Sequence, residues 1–307
     1  MIVVEIFIWI FVFLIIHSYL IYPFYLKFRG SGKSLETQDS SDSFAPRVSI
    51  IMAVFNEEQV IEKKLVSIIK SSYDFSKIEV LIGSDNSTDG TNDILEKYAE
   101  KYPEVVWENF TKRQGKAEII NCLVKKASGS VLILTDANVF FTEDTISALV
   151  KHFINPQIGV VGANIINTNV KSSGISFQEK TYLMNENNIK YLEGVIWGAM
   201  IGAFGGCYSI RKELYNPVPK NYYMDDFYIT LMVISQGYKT INELKAVCYE
   251  DVSNQLTEEF RRKIRISIGN YQNLQSFAHL LKKPWKGYAF AFWSHKVIRW
   301  FGPFFII

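Results

Sequence analysis

Apolar runs that end on a carboxylate narrow the possible folds of this chain more than any other feature. Residues 80–83 lead into Asp85, and residues 131–135 lead directly into Asp136. A further acidic site, Asp225 beside Asp226, opens the apolar stretch 227–235. Buried parallel strands read as continuous apolar runs, and such sheets bind ligands beyond the carboxyl ends of their strands. Carboxylates gathered at that edge repel a phosphorylated ligand unless a divalent cation lies between them. The pattern predicts an α/β enzyme that handles a nucleotide diphosphate through a metal.

The rest of the central sequence agrees with a layered sheet. Strands are expected over 48–54, 78–83 and 131–135, with helices over 57–71, 90–102 and 115–127. In the first helix Val60, Ile61, Leu65, Ile68 and Ile69 recur at helical spacing. Alternation of this kind predicts a mostly parallel sheet with helices on both faces. The 307 residues suffice for one large domain or two modest ones, and at 48% apolar they are not a disordered composition. A net charge of +2 excludes a dedicated nucleic-acid binder, which needs a basic footprint. Cys122, Cys207 and Cys248 are widely spaced and fit neither a disulfide framework nor a zinc site.

Both ends read as membrane sequence. Residues 2–26 are almost continuously apolar or aromatic, interrupted by Glu5, His17 and Pro23. About 20 such residues cross a hydrocarbon core. No basic region precedes the run and no small-residue cleavage site follows it, so an anchor is expected rather than a signal peptide. Lys27, Arg29 and Lys33 come next and place that side in the cytoplasm. An integral membrane protein with a cytoplasmic catalytic domain follows. Residues 288–307 are apolar but carry His295, Lys296 and Arg299, as expected of an interfacial helix leading into further spans. The sequence stops within apolar residues, so a longer natural protein is expected.

The expected organisation is an anchor over 1–26, a linker over 27–46, a catalytic domain over 47–255, an amphipathic interface region over 256–287 and a membrane-associated segment over 288–307. The linker is rich in Ser, Gly, Asp and Thr. Its Gly30-Ser31-Gly32-Lys33 lacks the first glycine and the strand-to-helix context of a phosphate loop.

Several motifs then occur in a fixed order. They are VSIIMAVFNEE from Val48 to Glu58, DNSTDG from Asp85 to Gly90, Gly115-Lys116-Ala117 with Asn121, and TDAN from Thr135 to Asn138. GGCY from Gly205 to Tyr208 and the pair Asp225, Asp226 complete the series. Together, over residues 48–275, they resemble a family 2 glycosyltransferase. The resemblance implies a GT-A-like, Rossmann-like fold and an inverting transfer from a nucleotide-diphosphate sugar. A UDP-sugar is the expected donor, a lipid-linked or glycan hydroxyl the acceptor, and Mg²⁺ or Mn²⁺ the cofactor.

Residue roles carry over from that resemblance position by position. Asn56 and Glu57 would lie against the nucleoside, and Asp85 would accept a hydrogen bond from the base. Lys116 would face either the base or the diphosphate, with a solvated lysine as the plain alternative. Asp136 and Asn138 occupy the family's Asp-x-Asp position and would hold the metal; Asn138 departs from it, offering a neutral oxygen in place of a second charge. Asp226 would remove the proton from the acceptor hydroxyl. Asp225, Arg262 and Arg265 are expected beside the acceptor or diphosphate. Trp197, Tyr208 and Tyr223 are candidates to shape the sugar pocket.

Residues 260–275 predict an amphipathic helix with Phe260, Ile264, Ile268, Tyr271 and Leu274 on one stripe. Processive synthases of the family carry Gln-x-x-Arg-Trp near here, whereas this chain has Arg262-Lys263-Ile264-Arg265-Ile266. Single transfer is therefore the main expectation. A processive polysaccharide synthase is the alternative within enzymes, separable by product length. A non-catalytic nucleotide-sugar-binding or scaffolding partner is the alternative from another class, separable by whether any sugar is transferred.

Overall fold

The computed structural model describes residues 2–35, 44–168, 175–251 and 256–306. Residues 36–43 of the expected linker, and 252–255 at the end of the expected catalytic domain, lie outside them. The chain begins with α1 (Ile2–Ile16), a π-helical turn (His17–Ile21) and α2 (Tyr22–Gly30). Ile2–Gly30 is the one helix among the described residues that is long and apolar enough to cross a membrane. Its apolar side chains face outward: none of α1 is buried, and Trp9 is 71% exposed.

The central unit is built as the alternation predicts. β1 (Val48–Val54) is followed by α3 (Ile61–Ile69), β2 (Ile78–Ser84), α4 (Thr91–Lys101), β3 (Val105–Asn109), α5 (Lys116–Lys126) and β4 (Val131–Thr135). β3, β2, β1 and β4 lie side by side and parallel, with Val48 opposite both Ile78 and Val131. The sheet's side-chain period of two then divides the core. Ile50 and Met52 pack on the face that holds Ile61, Leu65 and Ile68 of α3, and Ile51 on the face that holds Ile119 and Leu123 of α5.

Past β4 the sheet is mixed, which the sequence reading did not foresee. β5 (Val139–Phe141), α6 (Thr145–Val150), β6 (Ile158–Thr168), α7 (Ile175–Trp197), β7 (Cys207–Arg211), α8 (Asp225–Ser235) and β8 (Lys239–Asp251) complete it. The strand order is β3-β2-β1-β4-β7-β6-β8-β5, with β7 antiparallel to both neighbours and β5 antiparallel to β8. β5 follows β4 after a short turn but does not pair with it: β4 takes β7 as its neighbour, and β5 lies at the far edge of the sheet against β8.

The amphipathic helix is longer than its periodic core: α9 spans Leu256–Phe277. Phe260, Ile264, Ile268 and Tyr271 of its stripe are exposed, whereas Leu274 packs against the core. α10 (Gly287–Ala291) and α11 (Ile298–Ile306) flank a second π-helical turn, Phe292–Val297. α11 returns to α1, where Phe305 stacks on Phe11. His295, Lys296 and Arg299 do not point to a surface as an interfacial helix would require. They turn inward onto Glu186 and Glu193 of α7. His17 is similarly placed, bonded to Ser294 at 2.9 Å.

Candidate functional site

β1, β2 and β4 are parallel, so their carboxyl ends open on one edge of the sheet, and a cleft of about 680 Å³ lies there. Phe55 and Glu57 line it from the turn after β1, Asp85 from the turn after β2, and Asp136 and Asn138 from the turn after β4. Lys116, Asp225 and Arg265 line it from α5, α8 and α9.

The two turns after β1 and β2 are buckled together. Asn56 and Asn86 adopt left-handed backbone conformations, φ 54° and 60°, which asparagine tolerates better than other side chains. The Asn56 amide oxygen accepts from the Thr88 backbone N–H at 2.9 Å, and Glu57 N–H donates to Thr91 Oγ1. Asn56 thus ties the two turns together at this end of the cleft and is not among the described residues lining it. Burial, then Asp136 and Asp89, push the Glu57 carboxyl up to about 7.

Asp85 is almost fully buried and organises the loop before α5. Its carboxylate accepts from Arg113 Nε at 3.0 Å, Gln114 N at 2.7 Å and Gly115 N at 3.1 Å. The Arg113 guanidinium also lies 3.4 Å from the centre of the Phe55 ring. Arg113, Gln114 and Phe55 were not singled out as site residues, although FNEE and RQGK stand on either side of those that were.

Lys116 faces Asp136 and Asp225 rather than Asp85. Its ammonium is 2.7 Å from Asp136 Oδ1 and 3.8 Å from Asp225 Oδ2. Desolvation in the cleft works against its charge, but Asp136 and Asp225 outweigh it and hold the group above its ordinary range. Asp226 sits behind Asp225, buried, against the backbone at Gly205. A Cβ on that glycine would stand 3.1 Å from Asp226 Oδ2, so the first glycine of GGCY makes room for the carboxylate. Burial and the neighbouring Asp225 push Asp226 up to about 6, with Lys116 pulling the other way.

Among the described residues, no group of three or more His, Cys, Asp or Glu could hold a metal by itself. The donors here fit a cation shared with substrate. Mg²⁺ and Mn²⁺ are hard ions that bind through one or two side chains plus phosphate oxygens, and Asp136 and Asn138 supply two such oxygens. Asp225 Oδ2, buried and without a hydrogen-bond partner, adds an unsatisfied oxygen at the same end of the cleft.

Other predicted positions fall elsewhere. Arg265 lines the cleft, and Arg262, earlier on α9, is not among its described lining residues. Tyr223 lines it too. Trp197 stacks on Tyr25, far along α7, and Tyr208 is buried within β7. Neither belongs to the described lining of the cleft.

Comparison with known proteins agrees with this geometry. A family model described as Glycosyl transferase family 2 matches residues 49–217. The chain is 31% identical over 129 residues to a beta-monoglucosyldiacylglycerol synthase of Synechocystis, covering 41% of this chain and 27% of that protein. It is 24% identical over 233 residues to a poly-beta-1,6-N-acetyl-D-glucosamine synthase of Staphylococcus aureus, covering 74% and 55%. It therefore spans between about a quarter and about half of those relatives' lengths. The solved mannosyltransferase PcManGT from Pyrobaculum calidifontis, in complex with GDP-Man and Mn²⁺, superposes with a TM-score of 0.78 at 25% identity, over 98% of this chain and 85% of that one. S. aureus TarS with UDP-GlcNAc shares the fold at TM-score 0.51 and 17% identity, over 68% and 59%.

Proposed function

Because the chain belongs to glycosyl transferase family 2 and is a glycosyltransferase, we propose that it is a membrane-anchored inverting enzyme that moves a sugar from a UDP-sugar to a lipid-linked or glycan hydroxyl. The observation that carries this is one cleft with Asp85 at one end and the Lys116–Asp136–Asp225 cluster at the other. A nucleoside fits against Asp85, Glu57 and Phe55, and its diphosphate then reaches Asp136, Asn138 and Lys116. Asp136 and Asn138 would hold a divalent cation here, which would supply neutralisation of the departing charge.

The remaining steps belong to the chain. Lys116 and Arg265 bind the diphosphate; an arginine suits its oxygens by its paired N–H groups. Asp226 accepts the proton of the acceptor hydroxyl while that oxygen bonds to the anomeric carbon and the bond to the diphosphate breaks, inverting the centre. A carboxyl raised to about 6 is closer to neutral pH than an ordinary aspartate and so is a better base. Asp225 supports a second reading of the base, because it lines the cleft directly and its Oδ2 has no hydrogen-bond partner.

The membrane face is read from the surface. α1 is bare and apolar, the α9 stripe is exposed, and Arg265 of the same α9 lines the cleft. This supports a lipid-linked acceptor reaching the cleft from the apolar side of the same helix. Lys27 and Arg29, in the last turn of α2, support a cytoplasmic cleft. The division into anchor, linker, catalytic domain, interface helix and terminal membrane segment belongs to the same reading.

The test is transfer from radiolabelled UDP-sugars to membrane lipid extract, comparing Asp226→Asn with Asp225→Asn. Loss with Asp226→Asn and partial activity with Asp225→Asn is expected; the reverse ranking assigns the base to Asp225. No transfer by the wild type from any nucleotide sugar would favour a non-catalytic binding partner, and a ladder of products a processive synthase.

A further inference from the structure

Lys64 is fully buried in α3, and among the described residues no carboxylate lies within 4.0 Å of its ammonium. Instead Nζ donates to Thr135 Oγ1 at 2.8 Å and to the Val139 carbonyl, and it lies 3.6 Å from the centre of the Phe141 ring. A buried ammonium without a counter-ion is costly, so an apolar side chain would serve packing better. Burial accordingly pulls Lys64 down to about 8.

Its two acceptors are the last residue of β4 and the first of β5. Between them lie only Asp136, Ala137 and Asn138. Thr135 Oγ1 in turn donates to the Gly206 carbonyl at 2.8 Å, and the Asp136 N–H donates to the same oxygen at 3.1 Å. Ser67, one turn further along α3, accepts from the Phe141 N–H at 3.2 Å and donates to the Lys64 carbonyl. The turn is therefore pinned at both ends to one helix.

We propose that Lys64 is a positioning residue that fixes the turn carrying Asp136 and Asn138, so that their oxygens are held in place for a divalent cation and the donor's diphosphate. This rests on the function proposed above. The need is greater here because Asn138 offers a neutral oxygen, leaving geometry rather than charge to secure the cation. Groups that orient metal ligands from behind contribute about 10–100-fold in metal affinity.

The experiment is calorimetric titration of the detergent-purified chain with UDP, with and without Mn²⁺, on the wild type, Lys64→Met and Thr135→Val. The quantity read is the gain in UDP affinity that Mn²⁺ confers. That gain should shrink by about 10–100-fold in Lys64→Met and by less in Thr135→Val, while metal-free UDP binding is unchanged in both. A merely structural lysine would lower the melting temperature and leave the gain alone. An undiminished gain in folded Lys64→Met overturns the proposal, as does an equal loss of metal-free UDP binding. If Lys64→Met does not fold, Thr135→Val decides by the same criterion. A wild type with no gain at all removes the proposed function, and this proposal with it, whereas a wild-type gain retained in both variants removes only the role of Lys64.

Discussion

In the cleft, Lys116 divides its charge between Asp136 and Asp225, and the side chains of Lys116 and Asp136 stay 37% and 36% exposed. At the junction of α7 with the terminal helices, His295 lies between Glu193 at 2.7 Å and Glu186 at 3.0 Å, and Lys296 and Arg299 complete Glu186. No side chain of that second cluster exceeds 13% exposure. Both regions gather charge of both signs. The first leaves Asp225 Oδ2 without a hydrogen bond, with the Lys116 ammonium 3.8 Å away. The carboxylates of the second are hydrogen-bonded within the fold, and Glu186 and Arg299 border a smaller cavity of about 330 Å³. The first cluster borders the cleft at the sheet edge, and the second ties α7 to the terminal helices.

The largest expected effect breaks this contrast if it fails. Asp226→Asn should slow transfer by about 10²–10⁴-fold with UDP affinity and melting temperature unchanged, read by single-turnover assay and calorimetry. The junction should behave oppositely. Glu186→Ala strands Lys296 and Arg299 without their carboxylate and should cost about 3–5 kcal/mol of stability, seen in chemical denaturation, with UDP affinity of the folded protein retained. Loss of UDP binding there would mean that the two clusters are coupled.

What could be read beforehand follows the same division. The strands at 48–54 and 131–135 were legible because buried parallel strands carry a nearly unbroken apolar run. Asp85 and Asp136 were legible because each follows such a run, whereas Lys116, Asp225 and Arg265 were placed by the family resemblance. The junction was not. His295, Lys296 and Arg299 lie in apolar sequence, and nothing local shows that Glu186 and Glu193, more than a hundred residues earlier, are their partners. Lys64 left a fainter signal: it falls three residues after Ile61 and four before Ile68, on the buried stripe of its helix. The mixed half of the sheet was missed because an apolar run shows neither a strand's direction nor its neighbour, and β4 pairs antiparallel with β7 from far along the chain.

Acidity sharpens the contrast further. With Asp226 raised to about 6, transfer should fall as pH drops below that value and level off above it, in a pH–rate profile. Stability has the opposite sign for this group. Its folded state favours the protonated form, so the contribution of Asp226 is lost as pH rises from the ordinary carboxylate range to about 6. The smallest effect lies outside both regions. Lys126 pairs with Glu108 where both are well exposed, so Lys126→Ala should cost under about 1 kcal/mol and leave transfer at the wild-type rate.

The central claim is that the cleft takes a nucleotide diphosphate through a divalent cation at Asp136. Its most direct test is calorimetric titration with UDP, with and without Mn²⁺, on the wild type and on Asp136→Ala. Binding that strengthens with Mn²⁺ in the wild type and loses that increment in Asp136→Ala is the predicted result. Binding indifferent to Mn²⁺, or an increment that survives Asp136→Ala, would contradict the account.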